Sequence, residues 1–154
     1  MNILLAVDGS PCSDAAVGAV AARPWPEGST VEVLHAIHTR APEMADPFLV
    51  SLAIREDLLD ELRQRGPRLV ERAAAQLRDG KGSMNVTTKV VEGTPKQAIL
   101  DEARQWHADL VVVGCHGRGP VRRFALGSVS HALALHAPCS VEIVRSPHEE
   151  NGAT

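Results

Sequence analysis

A chain of 154 residues has the length of one domain, and a hydrophobic content of 44% is enough to fill one ordinary core. A net charge of −3, a pI near 6.1, and aromatics limited to two Trp and two Phe exclude the basic footprint of a duplex binder and the stacking platform of a single-strand binder. No window approaches ~18 uninterrupted apolar residues, so no membrane span is expected. The opening Met1-Asn2-Ile3-Leu4-Leu5-Ala6-Val7-Asp8 lacks the basic start of an export signal. The three cysteines, Cys12, Cys115 and Cys139, show no C-x-x-C spacing; they read as small core residues of a reduced, cytoplasmic protein.

In chain order, Ile3 to Val7 is an aliphatic run that reads as a buried strand, and Asp8-Gly9-Ser10-Pro11 follows as a loop. Ser10 before Pro11 fits a helix cap and first helical position, and Ala16, Val17, Val20 and Ala21 supply the apolar stripe. Thr30 to Ile37 is a second strand. Leu58, Leu62, Leu69, Ala73 and Leu77 then lie on helical spacing, with a kink or break expected at Gly66-Pro67 because proline removes a backbone donor and clashes with the preceding turn. Asn85 to Val91 is a third strand, and Pro95 opens a helix with Ile99, Ala103 and Trp106 on one face. Asp109 to Val113 is a fourth strand, apolar enough to be covered on both faces. A glycine-rich loop, Gly114 to Gly127, leads to a last helix with Val129, Ala132, Leu133 and His136 on one face. Ser140 to Val144 is the fifth strand, giving a domain over residues 1–146 and a flexible tail over 147–154.

Five strands alternating with helices predict an α/β fold: a doubly wound five-stranded parallel sheet of order 3-2-1-4-5 with helices on both faces. Strands one and four are then neighbours at the point where the winding reverses, and their carboxyl ends, Asp8 and Gly114, flank the crevice in which such sheets bind ligands.

The loop after strand four carries the chemistry. Gly114, Gly117, Gly127 and Ser128 let the backbone approach a ligand and open a helix whose unpaired N–H groups favour an anion such as phosphate; Ser130 adds a hydroxyl, and Arg118, Arg122 and Arg123 add charge. Taken singly, each glycine reads as an ordinary flexible-loop residue; taken together at this place in the topology, they read as a phosphate-binding loop.

The spacing Gly114-x2-Gly117-x9-Gly127-Ser128 resembles that of the nucleotide-binding universal stress proteins, and the likeness runs from Ile3-Leu4-Leu5-Ala6-Val7-Asp8-Gly9-Ser10 to Ala137-Pro138-Cys139-Ser140-Val141-Glu142-Ile143-Val144-Arg145. The resemblance implies ATP binding, with Mg²⁺ or Mn²⁺. It implies a nucleoside beside Asp8, an adenine against Ala36, and ribose and phosphates held by Gly114, Gly117, Arg118, Gly127, Ser128, Val129 and Ser130. It also implies a homodimer through strand five, residues 140–145. The chain departs from the common pattern at Cys115, where serine is usual, at Ser140, where proline is usual, and at Glu142, where an aliphatic residue is usual; the last bears on the dimer.

Other chemistries have less support. A receiver domain needs an acidic pair and a phosphoacceptor after strand three, where Val91-Glu92-Gly93 stands. Neither G-x4-G-K-[ST] nor a G-x-G-x-x-G after strand one is present, and no phosphate loop follows strand one as a flavin module would require. Among the seven histidines no pair has reliable ligand spacing; His35 and His38 are an odd number apart on a strand and are expected to face opposite ways. The expected function is an ATP-dependent regulatory or stress-response module. The alternative is a slow ATPase or a self-phosphorylating enzyme with Ser128 or Ser130 as acceptor and His116 as the candidate base in the loop.

Overall fold

A computed structural model describes residues 1–38, 52–80, 84–117 and 126–146, with side chains of the second stretch from residue 57 onward. Five strands, β1 (Asn2–Ala6), β2 (Thr30–Ile37), β3 (Asn85–Glu92), β4 (Leu110–Gly114) and β5 (Ser140–Val144), alternate with four helices. The helices are α1 (Pro11–Ala22), α2 (Leu52–Arg78), α3 (Pro95–Gln105) and α4 (Ser128–His136). All strand pairs are parallel and the sheet order is β3-β2-β1-β4-β5, the expected doubly wound arrangement.

Strand alternation divides the core in two. Ile3, Leu5, Val31, Val33, Leu110 and Val112 face α1 and α2, where they meet Val17, Val20, Val70, Ala74 and Leu77. Leu4, Ala6, Leu34, Val111 and Val113 face α3 and α4, where they meet Ile99, Leu100, Ala103 and Leu133. The central strands β1 and β4 are therefore apolar on both faces, as the uninterrupted runs in their sequences require.

The helix starts follow local chemistry. Ser10 caps α1, its hydroxyl accepting from the Ser13 N–H at 3.2 Å, and Pro11 occupies the first turn where its missing N–H costs nothing. Pro95 does the same for α3.

Two local expectations are corrected. The helix α2 runs unbroken through Gly66-Pro67. Gly66 is buried against the sheet, where an added Cβ would lie 3.1 Å from Val90 Cγ1, while Pro67 is on the exposed side, where water can take up the carbonyl its ring leaves unbonded. On α4 the buried residues are Ser130 and Leu133, and His136 is exposed in the last turn.

Candidate functional site

The carboxyl ends of β1, β2 and β4 open onto one cavity of about 830 Å³, within the range of small-molecule sites. Its wall takes Ala6 from β1 with Val7 and Asp8 just after it, Leu34 to Ile37 from β2 with His38 beyond its end, and Val113, Gly114, His116 and Gly117 from β4 and the segment after it. The start of α3 adds Thr94, Pro95 and Lys96, and the start of α4 adds Gly127, Ser128, Val129 and Ser130. Asp8, Ala36, Gly114, Gly117, Gly127, Ser128, Val129 and Ser130 thus converge on one wall system, though they come from four separate places in the chain. Arg118, Arg122 and Arg123 lie outside the described residues.

The geometry follows from the turns that leave the sheet. Gly9 has φ +77°, a conformation open to glycine, and this turn brings the Ser10 N–H to the Asp8 carboxylate at 2.9 Å. The Asp8 N–H donates to Ser13 Oγ at 3.1 Å. The Ser10 hydroxyl donates to the His116 carbonyl at 3.1 Å, tying the β1 loop to the segment after β4. An added Cβ at Gly114 would lie 2.7 Å from the Cys12 carbonyl carbon, so only glycine lets β4 end against the first turn of α1.

At the other end, Gly127 N–H and the Ser130 hydroxyl each donate to the Cys115 carbonyl at 2.9 Å. Ser130 is buried and its hydroxyl is also 3.0 Å from the Gly127 carbonyl. It secures the start of α4 and leaves Ser128, which is exposed, as the accessible hydroxyl of that turn. No side chain caps α4, so its first N–H groups face the cavity end without a competing acceptor of their own.

Charge is distributed unequally. Among the described residues lining the cavity, Asp8 is the one carboxylate and Lys96 the one lysine. No group of three or more His, Cys, Asp or Glu suited to a metal occurs among the described residues, so a divalent cation would depend on the oxygens of its own ligand, with Asp8 as the protein donor. The carboxylate nevertheless stands against the loop: an added Cβ at Gly117 would lie 2.7 Å from Asp8 Oδ2.

Several lining residues were not anticipated. Lys96 and Thr94 follow β3, which in a parallel sheet ends on the same side as β1 and β4; that rule was the available signal. His35 and His38, expected on opposite faces, both border the cavity, because His38 lies beyond the end of β2 where alternation no longer applies. His35 is buried, with Nδ1 2.7 Å from the Val7 carbonyl. Cys12 and Cys115 are buried as expected, whereas Cys139 is only half-buried.

A sequence profile of the universal stress protein family matches residues 1–145. The chain belongs to that family. A universal stress protein of Thermus aquaticus is 31% identical over 144 residues, covering 94% of this chain and 98% of the relative. Among solved structures, universal stress protein UspA from Lactobacillus plantarum matches with a TM-score of 0.76 and 27% identity, covering 94% of this chain and 97% of that one. A family protein from Arabidopsis thaliana with AMP bound shares the fold, with a TM-score of 0.66 at 18% identity over 99% of this chain and 96% of that one.

Proposed function

We propose that this universal stress protein binds ATP, with Mg²⁺ or Mn²⁺ on its phosphates, and serves as a nucleotide-dependent regulatory module. The observation that carries the reading is the convergence of Asp8, Ala36, Gly114, Gly117 and the uncapped start of α4 on one cavity of about 830 Å³. Support also comes from the Arabidopsis thaliana relative, which holds AMP. Asp8 and Ala36 serve the nucleoside. Gly114, Gly117, Gly127, Ser128 and Val129 serve ribose and phosphates, with Arg118 as a further contact and Ser130 as the hydroxyl that fixes the turn. The bound cation supplies charge neutralisation at the phosphates.

Binding is favoured over turnover. Hydrolysis needs a base that positions a water; Asp8 is the one carboxylate among the described lining residues, and its Oδ1 already accepts from the Ser10 N–H. The functional unit is residues 1–146, with 147–154 as an appended tail, and it acts in the cytoplasm as a homodimer joined through β5. Among the described residues no helix is long and apolar enough to cross a membrane.

Purified protein released of its ligand by heat yields an adenine nucleotide identified by mass, and added ATP raises its melting temperature; at a hundred times Kd the stabilisation is about 2.7 kcal/mol. Protein that elutes bare and melts unchanged in millimolar ATP contradicts the assignment. ADP release measured on the same sample reports the slow-ATPase alternative.

A further inference from the structure

Cys12 and Cys115 are 103 positions apart in the chain, yet their sulfurs lie 3.0 Å from one another, both buried. Rigid elements set this contact. Cys12 sits in the first turn of α1, behind the Ser10 cap. Cys115 directly follows β4, and its backbone is held on both sides: its N–H donates to the Val144 carbonyl at 2.8 Å, and its carbonyl accepts from Gly127 N–H and the Ser130 hydroxyl. The bare Cα of Gly114 lets the two segments close, since an added Cβ there would lie 2.9 Å from the Cys12 Cβ.

A disulfide needs about 2.05 Å between sulfurs, so the pair is roughly one ångström from bonding distance. We propose that Cys12 and Cys115 form a dithiol oxidation site, which a hydroperoxide converts to an intrachain disulfide pinning the first turn of α1 to the end of β4. One sulfur, as thiolate, attacks a peroxide oxygen; the O–O bond breaks, leaving a sulfenic acid and releasing the other oxygen as water or an alcohol. The second sulfur then displaces the sulfenic hydroxyl, which departs as water with the remaining thiol proton, and the S–S bond forms. Two electrons pass from the sulfurs to the peroxide, and hydrogen peroxide is consumed as two waters. Ser13, Gly114 and His116, the chain neighbours of the two cysteines, line the open cavity, so a small peroxide has one residue layer to cross.

The test treats native wild-type protein and a Cys139→Ser variant with hydrogen peroxide, then unfolds, alkylates, digests and maps peptides by mass. Both yield peptides joined through Cys12 and Cys115; dithiothreitol separates them, and neither Cys12→Ser nor Cys115→Ser yields them. The urea-unfolded chain, lacking the enforced proximity, gives roughly tenfold less under the same treatment. The proposal is overturned if both thiols stay alkylatable in the treated native protein, if oxidation stops at sulfinic acids on single cysteines, or if the unfolded chain cross-links equally well.

Discussion

Asp8 is held by its own loop: the Ser10 N–H on one carboxylate oxygen and the Ser13 hydroxyl on its N–H keep the side chain at the mouth of the crevice, beside Gly117. If that carboxylate accepts a hydrogen bond from the nucleoside, Asp8→Ala weakens ATP and AMP by similar factors, about 1.5–3 kcal/mol each. Titration calorimetry with both ligands checks this; AMP spared while ATP suffers would instead make Asp8 a partner of the phosphate-bound cation. At this scale the sequence was informative wherever a residue type is forced by backbone geometry. The motif glycines and Asp8 could be placed because parallel strands end on the same side of the sheet. Lys96 carried no motif of its own, and the Cys12–Cys115 contact joins positions 103 apart that only the tertiary fold makes adjacent.

The elements were legible where the apolar period was strong, as in β2 and β5, and less so in α2, where proline chemistry argued for a break. What the sequence could not show was which side of α2 would carry Pro67, and that side decides whether the lost hydrogen bond is tolerable. The strand pattern also hid a buried acid. Glu32 of β2 lies under α3 with Oε1 buried and without a hydrogen-bond partner, next to Glu102, which pairs with Lys89 at 2.5 Å. Burial first, and the charge of Glu102 second, push the Glu32 carboxyl up to about 7, against a smaller opposing effect of Lys89. The folded state therefore binds the proton more tightly than the unfolded chain, so this group's contribution to stability is fully present below pH 4.5 and is lost as pH rises through about 7. Glu32→Gln removes that titration: the variant gains about 1–3 kcal/mol on wild type at pH 8 relative to pH 4. Urea melts at the two pH values check it, and a wild-type-minus-variant difference that does not change with pH contradicts the assignment.

At the scale of the molecule, the sheet order leaves β5 at an edge. The Cys115 N–H donates to the Val144 carbonyl, so residues 142 and 144 direct their backbone groups at β4, while 141 and 143 direct theirs at the open side. Val141, Ile143 and Val144 make this edge apolar, the kind of edge that pairs with a second copy across a two-fold axis. Glu142, the residue that argued against such pairing, is bound within its own chain by Arg23 through two contacts of 2.5 Å, which offsets its repulsion from a symmetry mate. Sedimentation at tens of micromolar gives a dimer for the wild type and a monomer for Ile143→Pro, which deletes an outward donor while leaving the β4 ladder whole. A monomeric wild type excludes the interface.

The central claim, that the crevice between β1 and β4 takes a nucleotide through its glycine loop, is tested most directly by titration calorimetry of ATP into wild type and Gly117→Val. A Cβ at 117 would lie 2.7 Å from Asp8 Oδ2 and, among the described residues, within 4 Å of no backbone atom, so the Asp8 side chain is what must shift and the approach to the loop is blocked. The wild type shows saturable binding and the folded variant shows none. A wild type without binding at millimolar ATP, or a variant that binds as the wild type does, contradicts the account.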